Sequence, residues 1–535
     1  IDMDGPKGKV VFKAYTQKQP TLFPPSLESF VPPNHLARLI NDAIDQMDLQ
    51  PLLKSYTGGG ASSYHPKMLL KVLVYAYSQQ IYSSRQIAKA IRENVVFMWL
   101  CGGNKPDFRT INRFRSSRLR DKTEKIFASM LELLAESKLI NLEEYFLDGT
   151  KVEANANRYS FVWRKSTEKY SQRLDTKVRE LFHEIDRLNQ KEDEAHSGSD
   201  LLELGEDSTP ISQERMEEKL AELNTILQEP TTEENKDKKK ELKKGVRKLE
   251  RDYIPRRKKY DKQLELFDER NSFSKTDTDA TFMRMKDDHM RNGQLKPGYN
   301  IQIGTENQFI TGYSIHANPT DAPTLPNHLD TLHNSFGFTP KTVVADAGYG
   351  SEENYTYLDN QNIKAFVKYG SYQHEARREY QFKKQFYPEN LPYDVDGDYF
   401  TCPAGKKMKH TYTRKQKSKN NFVSDIKVYQ AENCSGCELK NCCHNSTRDR
   451  QMFVNTRLIE FRSKARDLLN SAEGLVYRGR RLAEVESVFG QIKHNSNFRR
   501  FLLRGIGKVK IEWALVAIAH NMKKWHVKTC MATPL

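Results

Sequence analysis

Apolar positions recur at helical spacing through the early part of the chain. Met68, Leu69, Val72, Leu73 and Ala76 share one face of a helix predicted over residues 66–80. Ser83 and Ser84 offer an N-cap for a second helix over residues 85–93, with Ile87, Ala88 and Ile91 along one side. Asp107 precedes a third, short helix over residues 109–118, which bears Arg109, Arg113, Arg115 and Arg118. After an extended, proline-rich start, the chain up to about residue 140 therefore reads as helical.

The period then changes. Tyr145-Phe146-Leu147 reads as a strand that ends in an acid, Asp148. Residues 163–267 are polar and heavily charged, yet Leu174, Val178, Leu181, Ile185 and Leu188 mark one amphipathic helix, and Met216, Leu220, Leu223 and Leu227 mark another. With loops expected at residues 197–210 and 230–235, this stretch reads as an inserted helical hairpin. Strand-like alternation returns at residues 299–303 and, after a turn at Glu306-Asn307-Gln308, at 309–315. Val343-Val344-Ala345 is a further strand ending in an acid, Asp346, and residues 363–367 form one more. Residues 482–493 and 508–525 read as late helices.

Charge narrows the class of partner. Over 535 residues, 86 Lys and Arg face 70 Asp and Glu, a formal net charge of +16. Such an excess suits a polyanion, because each basic group set on a phosphate releases a condensed counterion. The three short helices, the last rich in arginine, resemble a helix-turn-helix unit and assign Arg109, Arg113 and Arg115 to DNA binding. An ordinary three-helix bundle with a solvated basic face would carry the same pattern. No apolar run reaches the about eighteen residues needed to cross a membrane, and the opening residues lack the regions of a secretory signal. The cytoplasm is the expected compartment, and Ile rather than Met at position 1 suggests a trimmed end.

Five of the seven cysteines fall between Cys402 and Cys443. Cys402, Cys434-x2-Cys437 and Cys443 have spacing that suits a four-thiolate structural zinc site. Cys442 competes with Cys443, and His410 and His444 are substitute ligands.

The two strand-terminal acids carry the chemistry. Parallel strands present their carboxyl ends at one rim of a sheet. Carboxylates there attract hard cations, Mg²⁺ or Mn²⁺. Two such ions about 4 Å apart activate one oxygen and stabilise another in phosphodiester chemistry. A third acid has to reach the rim from a helix. Val485, Phe489 and Ile492 form an apolar stripe that would pack on the sheet, and Glu486, Gly490 and Lys493 lie along the neighbouring face.

These motifs resemble those of bacterial insertion-sequence transposases with an RNase H-like DDE catalytic core. The resemblance rests on Leu147-Asp148-Gly149-Thr150-Lys151 and Val344-Ala345-Asp346-Ala347-Gly348-Tyr349. Most specific is the run Val485-Glu486 to Phe489-Gly490-Gln491-Ile492-Lys493, followed by Phe498-Arg499-Arg500-Phe501. It implies a homodimer in the bacterial nucleoid that binds double-stranded DNA at transposon ends and target. Asp148, Asp346 and Glu486 would hold two Mg²⁺ or Mn²⁺ ions, for hydrolysis at the ends and attack of the freed 3′ hydroxyl on target DNA. Contacts to DNA phosphates are implied for Tyr477, for Arg480 or Arg481, and for Lys493. One departure stands out. Relatives carry Y-x2-R-x3-E-x6-K, whereas here Tyr477-x2-Arg480-x3-Glu484 fits the first half and Glu486-x6-Lys493 the second. The Val-Glu-x-x-Phe-Gly context favours Glu486, with Glu484 the alternative. The rival functions are a metal-dependent nuclease without strand transfer and a catalytically silent, transposase-derived DNA-binding protein.

The expected architecture is α/β: an RNase H-like core in three parts (141–162, 271–368 and 476–535) behind a helical N-terminal DNA-binding domain (1–140). The charged helical hairpin (163–270) and a Cys-rich, zinc-type module (369–475) interrupt it.

Overall fold

The computed structural model describes residues 26–56, 63–193, 210–228, 230, 236–285, 293–375 and 377–532. The expected extended start and most of both expected loops, 197–210 and 230–235, lie outside these residues.

The fold opens with helices, the longer of which are α1 (Leu36–Gln46), α2 (Pro66–Ser78), α3 (Ser84–Glu93), α4 (Val95–Leu100), α5 (Phe108–Arg113) and α6 (Thr123–Glu136). The polar side chains of His35, His65, Asn94 and Asp107 start four of them by accepting otherwise orphaned amide protons. Asn94 accepts the Val96 N–H at 2.9 Å, and Asp107 accepts that of Thr110 at 2.8 Å. α5 runs on as a π-turn, Phe114–Arg118.

That turn carries Arg115 inward, against the expectation of a DNA contact. Its side chain is buried, and Nη1 donates to the Tyr77 hydroxyl at 3.0 Å and to the Tyr82 carbonyl at 2.6 Å. Its charge faces buried Glu512, whose Oε2 accepts the Leu502 and Leu503 N–H groups at 3.0 and 2.9 Å. Burial raises the pKa of Glu512, and Arg115 partly opposes the shift. Arg115 is an internal strut.

The main sheet contains β1 (Glu144–Glu153), β2 (Leu295–Glu306), β3 (Phe309–His316), β4 (Thr342–Ala345) and β5 (Lys364–Val367), in the order β3-β2-β1-β4-β5. The short strand Thr281–Arg284 also pairs with β2. β1 runs antiparallel to β2 and parallel to β4, which is parallel to β5. Asn307 and Gln308, at φ 54° and 65°, make the β2–β3 turn. A two-residue hairpin with both central residues left-handed matches strand twist.

One apolar core joins the sheet to the N-terminal helices. The long C-terminal helix packs between α2 and β3 and buries Trp513. Asn521 of that helix acts as a surrogate strand partner, accepting the Ile310 N–H and donating to the Ile310 carbonyl, both at 2.8 Å.

Among the described residues the first insertion has three helices rather than the expected hairpin: α7 (Arg164–Asp193), α8 (Gln213–Gln228) and a long third one, in which α9 (Lys236–Lys248) runs on through a π-turn, Leu249–Tyr253, into α10 (Ile254–Phe267). Leu242 and Leu249 join Leu174, Val178, Leu181, Ile185, Met216 and Leu223 in its core. Two leucines among so many lysines are a weak periodic signal, so the third helix was hidden in a charged tract. Buried Arg257 pairs with Asp175.

The second insertion contains a five-stranded antiparallel sheet with strands Tyr393–Asp394, Tyr399–Thr401, Lys407–Lys417, Val423–Ala431 and Gln451–Val454. Phe400, Met408, Tyr429 and Met452 supply its small core. Among the described residues no helix is long and apolar enough to cross a membrane.

Two stability measurements probe this frame. Gly304 of β2 lies under the Tyr145 ring, which is held by a 2.7 Å bond to His328, and an added Cβ would sit 1.7 Å from Tyr145 Cζ. Gly304→Ala should therefore destabilise the protein by about 3 kcal/mol through overpacking, read as a fall in the unfolding midpoint. Arg115→Met leaves Glu512 without its countercharge, and a loss of about 3 kcal/mol is expected. An unchanged denaturation curve would dismiss the strut.

Candidate active site

Strand register brings the first two acids together. In the parallel β1–β4 pair Phe146 faces Val344, and the same register continued by two residues sets Asp148 level with Asp346 on one face. Asp148 lies inside β1 rather than ending its strand as expected, because the pairing with β2 runs on past it, whereas Asp346 directly follows β4 and caps a 3₁₀ turn, Ala347–Tyr349, by accepting the Gly348 N–H at 2.9 Å. Tyr349 fastens this turn beneath the site by donating its hydroxyl to Gln302 of β2. Gly350 then passes so close to β5's exit that a Cβ would lie 2.4 Å from the Lys368 carbonyl, so the chain needs glycine there.

The third acid arrives on an irregular helix. α11 (Ala472–Arg481) passes into a π-turn, Leu482–Glu486, then a short α-turn, Ser487–Gly490, and a second π-turn, Gln491–Asn495. Val485, Phe489 and Ile492 are buried, as their spacing predicts. In π geometry a residue faces its neighbour five positions on. Arg481 accordingly faces Glu486, with Nη1 3.6 Å from Oε1. Reading Tyr477, Arg481, Glu486 and Lys493 together adds one residue to each of the first two spacings in the family signature, and the π-turn absorbs such an addition.

Arg481 stands among all three acids. Its Nη2 is 3.3 Å from Asp148 Oδ2 and 3.8 Å from Asp346 Oδ2. The Arg481 side chain is only 10% exposed, whereas those of Asp346 and Glu486 are 42% and 53% exposed. Asp148 is the buried member.

Glu484 looks elsewhere. It is buried and accepts the Gln308 N–H at 2.7 Å, which fastens the β2–β3 turn, and it lies 3.4 Å from Arg480. Tyr477 and Arg480 are tied to Glu144, at 3.0 and 2.7 Å. Lys493 is buried. Arg481, one of the residues expected on phosphates near the cleavage point, is set directly among the acids.

Lys368 was not anticipated. In the β4–β5 register Ala345 faces Val367, which sets Lys368 level with Asp346. Burial, then Arg481 and Arg478, push its pKa down, and Asp346 and Glu486 act in the other direction. The signal was present: Lys368 follows its strand just as Asp346 follows its own.

Among the described residues, no group of three or more His, Cys, Asp or Glu side chains is arranged to hold a metal ion. The acid cluster nevertheless has the right donors for a hard cation, all carboxylate oxygens, and the Arg481 guanidinium is a cationic stand-in at its centre.

Two outlying groups complete the inventory. Arg109 and Arg113 are exposed and, with Ser83, Ser84, Arg85 and Asn112, line a cleft of about 530 Å³. Cys402, Cys434, Cys437, Cys443 and His444 line one small cavity in the second insertion, whereas Cys442 is exposed. Arg450 donates its backbone N–H to Cys434 Sγ at 3.4 Å and its Nη1 to Cys443 Sγ at 3.2 Å.

Two family models match the chain. Residues 401–526 match a family described as "Transposase DDE domain", and residues 25–117 match one described as "Transposase domain (DUF772)". No curated protein and no solved structure matches significantly. The first match covers Glu486 and the cysteines, and the second covers α1 to α5. A DDE domain implies an RNase H-like core, DNA binding and divalent-metal chemistry. Both matches are to transposase domains, and together they make the chain similar, over residues 25–117 and 401–526, to insertion-sequence DDE transposases.

Proposed function

We propose that the protein binds transposon ends, cuts the DNA there by hydrolysis and joins the freed 3′ hydroxyls to target DNA, acting as a homodimer on the bacterial nucleoid. Asp148 and Asp346 would hold Mg²⁺ or Mn²⁺ from adjacent strands, and Glu486 would complete the site from the helix. The observation that carries this reading is the convergence of these three carboxylates, from three separate segments, on one guanidinium. When bound, a pair of divalent ions supplies activation of the attacking oxygen and stabilisation of the leaving one. The chain's own part is positional. β1 and β4 set the two aspartates, Tyr349 holds the turn after Asp346, and Lys368 adds positive charge at the rim where a phosphodiester would lie. Buried Glu484 serves the hairpin turn, which favours Glu486 as the third acid.

In the same reading, residues 1–140 act as the end-binding domain through Arg109 and Arg113, and the core is divided as 141–162, 271–368 and 476–535, around insertions 163–270 and 369–475. Cys402, Cys434, Cys437 and Cys443 would hold a structural zinc. Their shared cavity supports this, as do the two N–H groups directed at sulfur, a common way to stabilise thiolate ligands.

Asp148→Asn, Asp346→Asn and Glu486→Gln should each abolish Mg²⁺-dependent cleavage and strand transfer in a gel assay while leaving duplex binding, measured without divalent ions, nearly intact. Glu484→Gln should retain substantial activity. A Glu486→Gln protein that cuts normally beside a dead Glu484→Gln protein would reverse the assignment. Cleavage without strand transfer from a supplied 3′ end would identify a nuclease instead.

Elemental analysis of protein prepared without chelator should find about one zinc per chain. Cys437→Ser should lower the unfolding midpoint, because metal binding and folding are linked in such modules. Zinc-free protein with an unchanged midpoint in the variant would eliminate the zinc site.

A further inference from the structure

We propose that Arg481 keeps the acid cluster closed to divalent cations until a DNA phosphodiester draws its guanidinium away, so that DNA binding opens the metal site. The inference rests on the reading of Asp148, Asp346 and Glu486 as metal ligands.

The guanidinium already occupies the space a cation would take. It lies 3.3 to 3.8 Å from one oxygen of each acid. A divalent ion bound to those oxygens would sit within a few ångströms of a fixed positive charge, in a site half shielded from water where repulsion is strong. Metal and guanidinium therefore compete for the same three carboxylates.

Arg481 is also held in a way that permits release. None of its three contacts reaches the roughly 2.7–2.9 Å of a strong charge-assisted hydrogen bond. Its Nε is buried without a hydrogen-bond partner, which penalises this position of the side chain. The planar guanidinium fork matches phosphate well, and a phosphodiester could take two N–H groups at once. Lys368 and Arg478 lie in the same local field, so positive charge is crowded at this rim and a polyanion would relieve it. The acids, in turn, would lose the guanidinium's share of their countercharge as it leaves and would then favour a metal ion.

Such coupling is reciprocal: DNA raises metal affinity, and metal raises DNA affinity by the same factor. It would also keep a DNA-cutting centre inert until a substrate backbone is in place.

The test is Mn²⁺ binding by the full chain without DNA, followed by the magnetic resonance signal of free Mn²⁺. Arg481→Gln should bind Mn²⁺ more tightly than wild type by on the order of tenfold or more, and Asp148→Asn in that background should remove the gain. Arg481→Lys, which keeps the charge, should stay near wild type. In wild-type protein, a duplex should tighten Mn²⁺ binding by a similar factor after correction for ions held by the DNA alone. That measurement remains decisive if Arg481→Gln does not fold. Equal affinity in wild type and Arg481→Gln, with both weakened by Asp148→Asn, would overturn the gate but leave the metal site standing. Mn²⁺ binding indifferent to Asp148→Asn in every background would overturn the metal-site reading and the gate with it. Unchanged wild-type affinity on adding duplex would likewise overturn the gate.

Discussion

Two carboxylates set side by side on neighbouring parallel strands repel each other and need a cation. Around Asp148 and Asp346, that requirement shapes the centre of the molecule. The β1–β4 register makes the juxtaposition unavoidable, because both acids follow apolar runs that must lie in the same buried layer. Arg481 answers the charge from α11, and the π-turn after it brings Glu486 round to the same guanidinium. A regular α-helix would place Glu486 on a different face from Arg481. The irregular helix is thus a consequence of gathering one base and one acid at a single point.

The elements that hold this centre come from both ends of the chain. The C-terminal helix buries Trp513 between the N-terminal helices and the sheet, and Asn521 pairs with the backbone of Ile310 in β3, which among the described residues has no second strand beside it. Arg115 and Glu512 place opposite charges in this shared interior, where either one alone would be costly. The N-terminal helical region is consequently mounted on the core, with its exposed Arg109 and Arg113 cleft held in a set orientation. The two insertions instead carry small cores of their own, one of packed helices and one under an antiparallel sheet. That separation explains how long additions between β1 and β2, and after β5, leave the level of the two aspartates undisturbed.

Much of this was legible in the residues. Period-two alternation located β2 and β3, short apolar runs located β1, β4 and β5, and the acid ending each of two runs identified Asp148 and Asp346. The stripe of Val485, Phe489 and Ile492 oriented the late helix correctly. These features are local, because burying an apolar face imposes its period directly on the sequence. Helices α9 and α10 were lost among lysines, and the five-stranded sheet was lost among polar strands whose buried positions are few.

The sequence by itself determined the two acids that follow apolar runs, the helical stripe and the basic character of the chain, since each is written in neighbouring residues; that β1 runs on past Asp148 was decided by its pairing with β2. Tertiary structure decided which charges meet. Four arginines with similar sequence credentials part ways: Arg109 and Arg113 stay exposed, Arg115 turns inward to Tyr77, and Arg481 enters the acid cluster. It also separated Glu484, which caps a hairpin turn, from Glu486, which faces Arg481. The physical reason is that a charged side chain is long and its partner is chosen by proximity in space, so residues far apart in the chain determine whether it binds, braces or waits.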